Sequence, residues 1–113
     1  MVNSKSKGNR GEREFAKMCR HEGYDARRGQ QYNGLEGEDV IGLDGVHVEV
    51  KRVERLNIWG AMAQSIRDAA GRLPIVAHRR NNCEWLVTMR LSDWFKLYRV
   101  WEMDGADIIR EGE

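Results

Sequence analysis

Glu38-Asp39-Val40-Ile41-Gly42-Leu43-Asp44-Gly45-Val46-His47-Val48-Glu49-Val50-Lys51-Arg52 decides how this chain is read. It holds two apolar strand patterns interrupted by charge, and charged side chains seldom sit on apolar strands uncompensated. Side chains on a strand alternate faces, so Glu49 and Lys51 share one face and Val48 and Val50 take the other. The turn sets which residue meets which. A three-residue loop, Leu43-Asp44-Gly45 with Gly45 left-handed, pairs Gly42 with Val46, Val40 with Val48 and Asp39 with Glu49. One face then carries Val40, Val46, Val48 and Val50, and the other Asp39, Ile41, His47, Glu49 and Lys51. A two-residue Asp44-Gly45 turn would instead put Asp39 and Glu49 on opposite faces.

Outward from this hairpin, periodicity predicts a helix over about Arg10–Glu22, with Phe15, Met18, Cys19 and Glu22 at helical spacing and Gly23 as its C-cap. A short strand, Tyr24–Arg28, and a polar Gly-rich loop over residues 29–37 lead into the hairpin. A second helix runs from Ile58 to about Ala70, capped by Asn57 and ended at Gly71, with Ile58, Met62, Ile66 and Ala69 as its buried stripe. Strands follow at Ile75–His78 and Glu84–Arg90, separated by a turn at Arg80-Asn81-Asn82. Ser92 is the expected cap of a last helix to about Tyr98. The order is α-β-β-β-α-β-β-α. Residues 1–8 read as a flexible basic arm, 9–98 as one domain and 99–113 as an acidic extension.

The chain has 113 residues and a net charge of +1, enough for one modest core. The charge is uneven. Two of nineteen basic and five of eighteen acidic residues fall in 99–113, leaving seventeen against thirteen before it. Basic side chains cluster at Lys5, Lys7, Arg10 and Arg13, at Arg27-Arg28, at Lys51-Arg52 and Arg55, and at Arg79-Arg80. Such clusters on one face are an electrostatic footprint for nucleic acid. No apolar run reaches membrane-span length and no signal pattern opens the chain, so a cytoplasmic protein is expected. Cys19 and Cys83 are too few for a disulfide framework or a zinc site, and reduced thiols are expected.

Asp39, Glu49 and Lys51 on one face are the pattern that carries chemistry. Carboxylate oxygens suit Mg²⁺, which keeps water and substrate phosphate in its remaining positions. Such a site would activate water and neutralise phosphoryl charge, with Lys51 adding a positive charge beside it. The bland reading is a surface hairpin with a weak Glu49–Lys51 pair. Glu12 points with the inward stripe of the first helix and is a further candidate ligand; the local alternative is a capping box with Asn9 as N-cap. Glu14 lies round the helix and reads as a surface charge. Gln64, mid-helix and off the apolar stripe, is either solvated or aimed at the site. His47 projects towards the turn and reads as structural or surface, and neither His21 nor His78 has an identifiable partner. The tryptophans read as core or interface material, with Trp59 the most exposed.

Helix-borne Glu12, then Asp39, then Glu49-Val50-Lys51 in this element order resembles the PD-(D/E)xK nuclease superfamily. Lys7-Gly8-Asn9-Arg10-Gly11-Glu12-Arg13-Glu14, Arg27-Arg28-Gly29-Gln30-Gln31 and Val48-Glu49-Val50-Lys51-Arg52-Val53 are similar to archaeal-type Holliday junction resolvases and their phage relatives over about residues 7–95. The resemblance implies an α/β, restriction-endonuclease-like α-β-β-β-α-β core with a mixed central sheet flanked by helices. It implies a homodimeric, Mg²⁺-dependent endonuclease (Mn²⁺ substituting) that cuts branched DNA by paired nicks. Glu12, Asp39 and Glu49 would be metal ligands, Lys51 the catalytic lysine and Gln64 a polar residue beside the site. Lys5, Lys7, Arg10, Arg27, Arg28, Gln30, Gln31, Arg52, Arg55, Arg79 and Arg80 would hold DNA through phosphates. No small-molecule cofactor is expected. Two departures stand out: Glu38 occupies the family's proline position, and no serine lies between Gly29 and Asp39, so Gln30, Gln31 or Asn33 would have to take that role. The rivals are a nuclease acting on flaps or linear duplex and a non-catalytic DNA-binding module.

Overall fold

The computed structural model describes residues 4–29 and 39–105, with side chains over 9–29 and 39–104. Its elements are α1 (Ser4–His21), β1 (Arg27–Arg28), β2 (Val40–Ile41), β3 (Val46–Arg52), α2 (Ile58–Asp68), β4 (Leu73–Arg79), β5 (Leu86–Met89) and α3 (Leu91–Val100), followed by a π-helical turn over Trp101–Gly105. The five strands form one mixed sheet in the order β1-β2-β3-β4-β5. The β3–β4 pair is parallel, because α2 carries the chain across between them, and the other pairs are antiparallel. The protein is therefore α/β, with a five-stranded mixed sheet and three helices.

The hairpin has the odd-length turn. Val40 pairs with Val48, Gly45 is left-handed at φ +81°, and Val46 N–H donates to Leu43 C=O at 3.1 Å. Gly42 is a second positive-φ position, at +109°, for a tertiary reason: a Cβ there would sit 2.3 Å from Asp25 O. Only glycine lets the hairpin pass this close to the segment leading into β1.

Strand parity divides the core into two. Val40, Val48, Val50, Ile75 and Ala77 pack with Phe15 and Ala16 of α1, whereas Val76 packs with Ala61 and Met62 of α2 on the other face. Full burial of side chains such as these contributes roughly 1.5–3 kcal/mol each for the larger ones. Gly11 brings α1 against β3, since a Cβ there would lie 2.9 Å from Arg52 Cβ. Helices thus cover both faces of the sheet, with the valines under α1 and the charged positions of β3 under α2.

Several element readings need correction. α1 begins at Ser4, inside the expected arm, so Asn9 is interior and cannot be an N-cap; its Oδ1 accepts from Arg28 Nη2 at 2.8 Å instead. Gly23 does end the helix: its N–H donates to Arg20 C=O and that of Tyr24 to Cys19 C=O, the paired bonds of a Schellman motif. Met18 and Glu22 are exposed rather than inward. Asn57 caps α2, accepting from Gly60 N–H at 3.1 Å. Of the expected stripe, Met62 and Ala69 are buried and Ile58 packs beside Met62, but Ile66 is exposed. The buried face is rotated to include Ala61 and Ser65, because small residues let the helix approach until Ser65 Oγ–H donates to Ile75 C=O at 2.9 Å. Ser92 lies within α3, whose N-cap is Arg90.

Candidate functional site

Asp39 and Glu49 come together as the register requires. Val50 N–H donates to Asp39 Oδ2 at 2.7 Å, which locks the Asp39 carboxylate over β3 beside Glu49. Glu49 is only 3% exposed, and its charge and hydrogen bond act directly on Asp39. Burial is the largest cause raising the Asp39 carboxyl from 3.8 to about 6, opposed by the Val50 N–H and reinforced by Glu49. Lys51 pulls in the opposite direction on both Asp39 and Glu12, so all four charges share one field. Two buried carboxylates in contact repel unless a proton or a cation lies between them.

His47, read as structural or surface, is 2% exposed and belongs to the site. Its Nε2 lies 2.9 Å from Glu49 Oε1. An ionised carboxylate only accepts, so Nε2 carries the proton. Nδ1 then accepts from Arg72 Nη2 at 3.4 Å. Arg72 Nε in turn donates to Ala69 C=O at 3.0 Å, which anchors the relay to the end of α2. Alternation along β3 was the available signal, since it places His47 on the face of Glu49. What sequence lacked was the position of α2, whose packing closes that face from water.

Glu12 is held differently from expectation. Its carboxylate accepts from Arg28 Nε at 2.9 Å, and burial is the main influence raising its pKa, ahead of the Arg28 hydrogen bond that lowers it. α1 packs on the valine face, and the charges of Asp39 and Lys51 act on the Glu12 carboxyl. Glu12, Asp39 and Glu49 are not brought to common ligand spacing. Among the described residues, the three potential ligands whose donor atoms fall within 4.8 Å of one another are His47, Glu49 and Asp68. Arg72, against His47, places a fixed positive charge where a cation would be repelled, so this trio reads as a buried polar network rather than a metal seat. Gln64 is half-buried on α2, with no hydrogen bond to the carboxylates among the described residues.

The basic residues separate into two groups. Arg28 is committed to Glu12 and Asn9. Glu14, read as a surface charge, instead collects Arg79 Nη1, Trp85 Nε1 at 3.1 Å and Arg52 Nε at 3.4 Å. These arginines tie α1 to the ends of β3 and β4. Arg10, Arg27, Arg55 and Arg80 are exposed. The side chains of Lys5 and Lys7, together with Gln30, Gln31, Asn33 and Glu38, lie outside the described residues. His78 does have a partner, Thr88 Oγ1 at 2.9 Å, and burial lowers its pKa. Cys19 and Cys83 are free thiols. No helix of the described residues is long and apolar enough to cross a membrane.

No protein-family model matches this chain, and no curated protein matches it significantly.

Proposed function

We propose that the protein is a metal-dependent DNA endonuclease of the restriction-endonuclease-like architecture that hydrolyses phosphodiester bonds, with four-way junctions as its substrate. The observation that carries this reading is the buried contact of Asp39 with Glu49, set by a three-residue turn and followed two positions later by Lys51. A purely DNA-binding surface has no use for paired carboxylates, which repel phosphate.

The donor set fits a divalent cation. Two oxygen-ligand side chains meet in a site where burial first and the Glu49 charge after it raise the Asp39 pKa, and a doubly positive ion would offset both. Mg²⁺, or Mn²⁺ in its place, would be held by Asp39 and Glu49 and would supply charge neutralisation at the phosphate and a more acidic water. Lys51 stabilises the charge that develops on the phosphoryl oxygens. His47 fixes the rotamer of Glu49 through the Nε2–H donor, and Arg72 fixes the His47 tautomer. Glu12 joins the ligand set only if Arg28 releases it; a DNA phosphate competing for the Arg28 guanidinium is the natural trigger. Arg10, Arg27, Arg55 and Arg80 supply the exposed positive charge for DNA arms. Paired nicks in a four-way junction need two such sites related by a two-fold axis.

The test is cleavage of a four-way junction, a flap and a linear duplex, each with Mg²⁺ and with chelator. Glu49→Ala should abolish metal-dependent cutting while leaving junction binding in place. A Glu49→Ala protein that cuts like wild type refutes the assigned site. Equal cutting of linear duplex removes the junction preference and retains the nuclease.

A further inference from the structure

Only part of the apolar stripe of α2 faces the sheet, where Met62 is buried against Val76 and Ile58 packs beside it. Ile58, Met62 and Ile66 recur at helical spacing, yet the helix is seated on Ala61, Met62 and Ser65, leaving Ile66 39% and Trp59 85% exposed. Ile58, Trp59, Met62, Ala63 and Ile66 instead form one wall of a groove of about 590 Å³, and Thr88, Met89, Arg90 and Leu91 form the other.

A matching element stands beside it. Among the described residues, α3 packs substantially only against the π-helical turn that continues it. Leu91, Trp94, Phe95, Tyr98 and Trp101 lie along one face at i, i+3, i+4, i+7 and i+10, and each is 39–68% exposed. Trp94 stacks on Tyr98 at 5.1 Å and Tyr98 on Trp101 at 5.8 Å, making a continuous aromatic ridge. An isolated helix of this length is marginal in water, and most helical stability comes from burying such a face.

We infer that this face is the contact between two copies of the chain, the α3 ridge of each lying in the α2–β5 groove of the other. Reciprocity closes the pair about a two-fold axis without leaving a further ridge or groove open. Area agrees. A stable interface removes roughly 800 Å² per partner, and half-exposed side chains of this size, together with Leu86 on edge strand β5, supply area of that order at about 150–250 Å² per aromatic. The inference deepens the two-site requirement of the nuclease reading but rests on packing alone.

Sedimentation of the full chain at micromolar concentration should give twice its 13.1 kDa mass. Trp94→Glu/Tyr98→Glu and, separately, Ile66→Glu should each give the single-chain mass with unchanged far-ultraviolet circular dichroism. A monomeric wild type overturns the inference, as does either variant remaining dimeric. A mixture of Ile66→Cys and Tyr98→Cys chains, both carrying Cys83→Ser, should form a mixed disulfide faster than either chain alone; equal rates overturn the groove as the seat even if a charged variant misfolds. A monomer that nicks DNA with Mg²⁺ sinks this inference and keeps the nuclease, whereas a dimer that cuts nothing does the reverse.

Discussion

At the scale of the residue, the site is governed by the low-dielectric contact of Asp39 with Glu49. Asp39 holds its proton more tightly when folded, its pKa raised from 3.8 to about 6. In that window the folded protein keeps a proton the unfolded chain has released, so stability falls as pH rises and levels off above it. In chelator, urea midpoints from about pH 4 to about pH 7 should decline by the equivalent of about 1–3 kcal/mol, and Asp39→Asn should flatten the profile. His47 offers a second check. It touches Glu49 rather than substrate, so His47→Ala should weaken Mn²⁺ binding, read by titration calorimetry, by about 10–100-fold. His47→Gln, which keeps an N–H donor, should recover part of that affinity. The β3 alternation places His47 on the face of Glu49 in sequence alone; its burial depends on where α2 comes to rest.

At the scale of the element, the hairpin and α1 are held by contacts with different origins. Gly42 combines φ +109° with an approach to Asp25 O that no side chain tolerates. Gly42→Ala should destabilise the protein by at least ~2 kcal/mol in urea unfolding, whereas Gly45→Ala, strained but with open space around it, should cost about 1 kcal/mol. Glu14 joins α1 to Arg52, Arg79 and Trp85. Glu14→Ala leaves partly buried cations without their partner and should cost about 1–3 kcal/mol in the same assay. The turn length, and with it the pairing of Val40 with Val48, is legible from Leu43-Asp44-Gly45. The rotation of α2 is not, because periodicity marks an apolar face without saying what will cover it.

At the scale of the whole molecule, the basic residues divide into structural and exposed sets, and the two sets should behave differently on DNA. Arg55→Ala and Arg80→Ala should weaken binding to all sequences alike and shallow the log–log salt dependence by about one unit each. Arg79→Ala should instead lower the urea midpoint with little change in salt slope, because its guanidinium is spent on Glu14. Filter binding across a salt series separates the two cases. An unchanged slope for Arg55→Ala and Arg80→Ala would refute these arginines as part of the proposed DNA track.

The amino-acid sequence by itself determined the order of elements, the hairpin register and the meeting of Asp39 with Glu49 two residues before Lys51. Those features follow from local physics: strand alternation, turn length and the steric freedom of glycine act over a few residues. Tertiary structure alone decided that His47 and Arg72 buttress Glu49, that Glu12 is claimed by Arg28, and that Glu14 is a hub rather than a surface charge. Long, flexible ionic side chains choose partners by proximity in space, from residues as far apart as 14 and 85, and periodicity carries no record of that choice.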